Sequence, residues 1–301
     1  MAGGQERVLR RRIRSVQSTR KITKAMELIA ASRIVRAQAR IAANRPYRDG
    51  MERILRATAA ADPAAAKRLL GSPESPQRVG ILAVVGDRGL AGSYNSGVLR
   101  ATERLVAEHT RAGAQVTVWT VGKKAQSYFR YRGIDVARSF AGVADLPVFA
   151  DARSIAATVS APFVAGEVDV VILVSTRFIS AGTQRVERLQ MLPLPLPEVD
   201  ENEPVTEATL VGYTEFEPEP EKLLAELAPR AVEAEIFAAL LEGAAGFFTA
   251  QQRAMAAATD NADELVRTLS RVMNRARQDA ITTEIMEIVG GAEALRQSKG
   301  A

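Results

Sequence analysis

The sequence predicts an α/β protein in which two long terminal helices enclose a Rossmann-like middle. Three observations predict it. Both ends, from about Gln5 to Thr58 and from about Pro218 to Leu295, are helix-forming stretches without the turn punctuation of a globular domain. Between them, strand-length apolar runs alternate with helical periods, which implies a mostly parallel sheet. No other stretch is long enough to cover either end, so the two ends must cover each other. The expected architecture is an antiparallel coiled coil of the N- and C-terminal helices plus a Rossmann-like α/β head domain. Residues 1–60 form the first shaft helix, 77–213 the head and 218–297 the second shaft helix.

In the first helix, Ile13, Val16, Ile22, Met26, Ile29, Ile34 and Ile41 recur at mixed helical spacings. This is an interrupted stripe, not a clean heptad ladder. At 1.5 Å per residue such a helix spans roughly 80 Å. Pro46 is expected to kink it. Asp62-Pro63 and the stretch from Gly71 to Pro76 read as a linker.

The middle opens with a buried-strand run from Arg78 to Val85. A helix is expected at Tyr94–Arg111, a strand at Gln115–Val121, a helix at Lys123–Tyr131, a short strand near Ile134–Ser139 and a helix over Asp151–Ala165. An apolar strand at Val168–Ser175 and another at Gln184–Leu192 come next, with Val205–Phe216 as a last edge strand. The final helix starts after Glu217-Pro218-Glu219-Pro220, where acidic residues suit the helix dipole, and Pro229 is expected to bend it. Leu265, Leu269, Val272 and Ala276, spaced four, three and four, read as a coiled-coil seam, repeated after a shift by Ile281, Ile285 and Ile288. Its partner within the chain is the first helix.

Composition narrows the chemistry. Among 301 residues, 47% are apolar, enough for a core, and there is no cysteine, which excludes disulfides, thiolate metal sites and a cysteine nucleophile. His109 is the single histidine, and a helical one, so a histidine-based triad would have to run through it. No apolar run approaches the roughly 18 residues of a membrane span. Net charge is +5, but its distribution says more. Fifteen Lys and Arg residues up to Thr58 face only Glu6, Glu27, Asp49 and Glu52, whereas Glu198 to Glu226 is strongly acidic. Segregation of this kind marks surfaces for charged partners. The basic helix lacks stacking aromatics and any nucleic-acid reading motif, which argues against nucleic acid.

Gly86 to Gly92 comes directly after the first strand, where a phosphate loop would sit, but the spacing is GxxGxxG and no GK[ST] is present. A tight turn that aims Arg88 at a partner is the simpler reading. No HExxH, paired CxxC or GxSxG occurs, and neither a catalytic residue, a metal site nor a cofactor is assigned. A nucleotide-using enzyme with helical arms would be revealed by nucleotide binding to the isolated chain. A nucleic-acid binder would show salt-dependent DNA affinity.

The sharpest local signals lie in the terminal helices: Ser15–Glu27 with its KITKAME, Ala258–Ala262, and Asn274–Ala292 with ITTEIMEIVGGA. Together with RPY at Arg45–Tyr47, DRGLAG after the first strand and FEPEP at Phe216–Pro220, they resemble the gamma subunit of F-type ATP synthases. The resemblance covers both terminal helices and is looser across the middle. Ala91 stands where many relatives have cysteine, and no long inserted regulatory loop is present.

The resemblance implies a role and a set of contacts. The chain is then the central rotor shaft of a proton-translocating ATP synthase, one copy per complex and non-catalytic itself. Its implied partners are the alpha and beta subunits of the catalytic hexamer, the epsilon subunit and the c-ring. Its implied location is peripheral, on the cytoplasmic side of the cell membrane, reaching the membrane only through the complex. Arg11, Arg12, Arg20, Lys21 and Lys24, with Met26 among them, are the expected contacts to acidic lever segments of beta. Arg253, Arg277 and Gln278 match positions that hydrogen-bond the catch region of beta, with Thr282 and Glu284 assisting. Arg88 is placed with the ring contacts, and Phe216 and Glu217 with epsilon or the c-ring. The tip at Gly290–Leu295 offers a small, smooth surface for an apolar bearing.

Overall fold

The computed structural model describes residues 2–71, 73, 75–195 and 216–299. The elements, in chain order, are α1 (Ala2–Ala61), α2 (Pro63–Leu70), β1 (Arg78–Val84), α3 (Tyr94–Arg111), β2 (Gln115–Val121), α4 (Lys123–Tyr131), β3 (Arg138–Phe140), α5 (Phe149–Val164), β4 (Val170–Phe178), β5 (Gln184–Leu192) and α6 (Pro220–Lys299). The edge strand expected at Val205–Phe216 lies outside the described residues except at Phe216, which is not in a strand. Among the described residues no helix is long and apolar enough to cross a membrane.

The chain forms two compact units: residues 1–29 with 252–301, and residues 30–251. The larger is built on a five-stranded sheet of order β3-β2-β1-β4-β5, parallel except for β5. β1 sits at the centre because its VGILAV run is buried on both faces. Val79, Ile81 and Ala83 face α3 and α4, packing with Val98, Leu105 and Phe129. Leu82 and Val84 face α5 and α6, packing with Ile155, Val159, Val232, Ile236 and Leu240. Each such aliphatic side chain contributes about 1.5–3 kcal/mol on full burial. Gly80 is required here, since a Cβ at that position would lie 2.4 Å from the Trp119 ring on the neighbouring strand.

The structure corrects two expectations about the connecting segments. The segment after α1 is not all linker: Pro63–Leu70 is helical. The Asp62 carboxylate accepts from Ala65 N at 2.9 Å, and proline occupies the first helical turn, so a strong N-terminal signal outweighs the turn reading of Asp-Pro. The short strand β3 lies at Arg138–Phe140 rather than near Ile134–Ser139, because it is held by pairing of Trp119, Thr120 and Val121 with those residues. Pro46 and Pro229 lie within the continuous helices α1 and α6, respectively.

In the smaller unit, the seam on α6 differs from the one expected. The covered positions are Met255, Thr259, Ala262, Val266, Leu269, Met273, Ala276 and Ala280, an uninterrupted alternation of four and three. Leu269 and Ala276 belong to it. Leu265 and Val272 do not; they are 40% and 46% exposed. On α1 the covered ladder is Leu9, Ile13, Val16, Thr23 and Glu27, with Arg20 completing the spacing. Ile22 and Ile29, expected on the buried stripe, are exposed at 58% and 52%. The helices run antiparallel, with the Thr23 and Thr259 hydroxyls 2.8 Å apart in the buried seam and Arg20 donating to Asp263 at 2.7 Å.

Candidate partner interface

Thr23 opposite Thr259 brings the start of α1 opposite about Ala280. Among the described residues, α6 therefore continues from Ile281 without a facing helix. At 1.5 Å per residue the overhang is roughly 28 Å. Every residue from Ile281 to Ala292 is exposed, including Ile281, Ile285, Met286, Ile288 and Val289. The second isoleucine set is thus exposed rather than covered by α1, contrary to expectation. A run of uncovered aliphatic side chains on a single helix marks an interaction surface.

The cationic candidates fall into two groups. Arg11, Arg12 and Lys21 are exposed on α1. Arg20 and Lys24 are exposed but already paired, Arg20 with Asp263 and Lys24 with Glu27 at 3.1 Å. Met26 is half-buried beside the seam. On α6, Arg253, Arg277, Gln278, Thr282 and Glu284 are all exposed. Arg277 and Gln278 come directly after the seam residue Ala276, so they project about 100° apart around the helix.

In the larger unit, Arg88 extends from the loop after β1 and pairs with Asp145 at 3.0 Å, so its guanidinium already has an acidic neighbour. Phe216 is half-buried and Glu217 exposed. Arg33, Arg36, Arg40 and Arg88 rim a cleft of about 310 Å³ floored by Ala37, Leu241, Ala244 and Phe248. Arg33 lies 5.2 Å above the Phe248 ring.

The place where a nucleotide would sit is filled by the chain itself. Open α/β sheets bind ligands outside the carboxyl ends of their strands. Here α6 crosses that edge. Tyr94 Oη donates to Gly243 O at 2.8 Å, and Phe178 N, at the end of β4, donates to Glu242 Oε2 at 3.0 Å. Burial pushes the Tyr94 phenol well above its ordinary range, so it stays a donor. Gly86 lies so close to α6 that a Cβ would stand 2.9 Å from the Phe247 ring. The Asp87 carboxylate accepts from Lys123 N, Gly142 N and Ala144 N at 3.1, 2.9 and 3.2 Å. Lys123 opens α4, so Asp87 occupies the anion position at that helix N-terminus. Nothing in the DRGLAG pattern alone separates this role from that of a surface turn. Among the described residues no acidic or histidine cluster is placed to hold a metal ion.

Residues 5–295 match the protein family described as ATP synthase. The chain is 46% identical to the ATP synthase gamma chain of Parafrankia sp. (strain EAN1pec), over 97% of this chain and 98% of that one. It is 45% identical to the ATP synthase gamma chain of Streptomyces coelicolor, over 97% of each. Its fold is similar to a chain of the Euglena gracilis mitochondrial ATP synthase OSCP/F1/c-ring structure, with a TM-score of 0.69 and 16% identity, over 99% of this chain and 97% of that one. A chain of the Tetrahymena thermophila mitochondrial ATP synthase central stalk/c-ring structure matches with a TM-score of 0.60 and 23% identity, over 79% and 99%. This chain belongs to the ATP synthase gamma-chain family.

Proposed function

We propose that this chain is the central rotor shaft of a proton-translocating ATP synthase, without a catalytic site of its own. The helices of residues 1–60 and 218–297 act as the shaft and residues 77–213 as the head. The observation that carries the reading is the exposed aliphatic run on α6 at Ile281, Ile285, Met286, Ile288 and Val289, which among the described residues has no covering element and suits a partner's surface. A single helix projecting from a helix pair is asymmetric about the long axis. A ring of like subunits around it then meets a different face at each position.

This chain supplies coupling free energy rather than bond chemistry. A proton moving through 100 mV yields about 2.3 kcal/mol, so several must be summed before one ATP is released. The shaft shifts a catalytic subunit between states only where its contacts differ between them, since equal contacts shift nothing. Arg11, Arg12 and Lys21 offer exposed positive charge to acidic segments of the beta subunits, with Arg20, Lys24 and Met26 beside them. Arg253, Arg277, Gln278, Thr282 and Glu284 act further along α6. Exposed ion pairs are each weak, typically under about 1 kcal/mol, which suits a surface that must slide. Arg88 serves the ring, and Phe216 and Glu217 the epsilon subunit or the c-ring. The chain stands in one copy, peripheral on the cytoplasmic side of the cell membrane and held there through the complex.

Reconstitution tests the reading. The chain is mixed with alpha and beta subunits, the complex is isolated, and ATP hydrolysis is assayed with and without it. One copy per complex, with hydrolysis dependent on it, is the expected result. A folded chain that fails to enter the complex overturns the proposal.

A further inference from the structure

We infer that Arg48, Glu235 and Glu242 form the ionic joint that locks α1 and α6 to each other and to the sheet. They are positioning residues that hold the two helices in register while the rotor turns. The inference rests on the rotor reading.

Within the unit of residues 30–251, the covered ladder of α1 is Ala30, Ile34, Ala37, Ile41, Asn44, Arg48, Met51, Leu55 and Thr58. Its spacing alternates four and three throughout, and Arg48 is its one charged residue. Arg48 donates from Nη2 to Glu235 at 3.0 Å and from Nη1 to Glu242 at 3.4 Å. The two glutamates are seven residues apart on α6, one heptad or about two helical turns, so the guanidinium is seated between two positions on the same face of that helix. A slip of α1 along α6 by one helical step breaks both contacts together. Apolar neighbours give no such discrimination, because one aliphatic contact replaces another.

Glu242 then reaches a third element. Its other oxygen accepts from Phe178 N, and Arg177 Nε lies 3.9 Å away. Arg177 in turn pairs with Glu187 on β5 at 3.4 Å. One carboxylate therefore ties α1, α6 and the end of β4 at a single point. Desolvating these charges costs free energy, which marks the joint as a means of fixing register rather than a source of stability. Burial, opposed by Arg48 and reinforced by Glu242, raises the Glu235 carboxyl above its ordinary range.

The test uses membrane vesicles carrying the complete ATP synthase, with this chain wild type, Arg48→Met or Arg48→Lys. ATP hydrolysis and ATP-driven proton pumping are read on the same vesicles. Methionine fills the seam as Met51 does but removes the ionic tie. Arg48→Met is expected to assemble and hydrolyse ATP, with protons pumped per ATP falling at least roughly twofold, since partners in one ion-pair network are energetically coupled. Lysine keeps the charge and restores most of that ratio. An unchanged ratio in Arg48→Met overturns the inference, as does a parallel loss of both activities that lysine does not separate. Wild-type vesicles that hydrolyse without pumping would instead defeat the rotor reading.

Discussion

The hydroxyls of Thr23 and Thr259 lie 2.8 Å apart inside the seam between α1 and α6, and each is also within reach of a carbonyl on its own helix, Thr23 of Arg20 O and Thr259 of Met255 O. One hydroxyl can donate across the seam while the other donates to its own backbone. A paired polar layer in an apolar seam fixes where one helix stands against the other. Thr23→Val alone strands part of the bonding capacity of Thr259 and is expected to cost about 1 kcal/mol, whereas the double change to valine is closer to neutral. Urea unfolding of the two single variants and the double variant checks this. Additive losses would show that the pair is not coupled.

Arg277 and Gln278 are exposed on α6 and project in different directions. Arg277→Ala with Gln278→Ala is expected to lower ATP synthesis and hydrolysis together in the assembled complex, with the helical circular dichroism of the chain unchanged. Unaltered turnover would remove both residues from the interface.

Asp87 satisfies three backbone N–H groups from two separate segments. Asp87→Ala leaves these donors without their acceptor, and a loss of about 2–3 kcal/mol is expected, at the level of hydrogen bonds to a charged group. Guanidinium unfolding measures it. Asp87→Asn, which keeps one acceptor oxygen, is expected to fall between.

Glu235 and Glu103 give opposite pH dependences. Glu235 has its folded-state carboxyl raised, chiefly by burial. The native state therefore holds its proton longer than the unfolded chain. Stability falls as pH rises from the unfolded carboxylate value through the raised one. Glu103 is lowered, chiefly by the Tyr128 hydroxyl at 2.6 Å and by Arg132. Its contribution is present above the unfolded value and lost as pH falls through the folded one. Glu235→Gln is expected to flatten the first slope, and Tyr128→Phe to reduce the second. Unfolding free energies across an acid-to-neutral pH series read both.

Gly86 and Gly113 separate packing from backbone strain. A Cβ at Gly86 meets the Phe247 ring at 2.9 Å, whereas at Gly113, with φ of +86°, nothing lies within 4 Å. Gly86→Ala is expected to push α6 from the sheet edge and cost more than the strain at Gly113→Ala, roughly 1–3 kcal/mol for overpacking. Thermal unfolding of the two variants compares them directly.

The order and kind of the elements were legible in the amino acids alone. Tyr94–Arg111, Gln115–Val121, Lys123–Tyr131 and Gln184–Leu192 lie where periodicity and glycine punctuation put them. Local propensity and burial agree along those segments, so no distant contact was needed to decide them. The family motifs of the terminal helices were equally plain. The seam, by contrast, was settled only by the packing of the folded chain. Leu265 and Val272 stand out as hydrophobic, yet Val266 and Met273 are the covered pair, because the register is anchored by Thr23, Thr259, Arg20 and Asp263, polar residues that an apolar pattern passes over. Folding also settled that α6 is exposed from Ile281 to Ala292, that Asp87 fills an anion position, and that Arg48 finds two glutamates almost two hundred residues away. Each depends on where two distant segments meet, and the free energy of that meeting is written in neither segment separately.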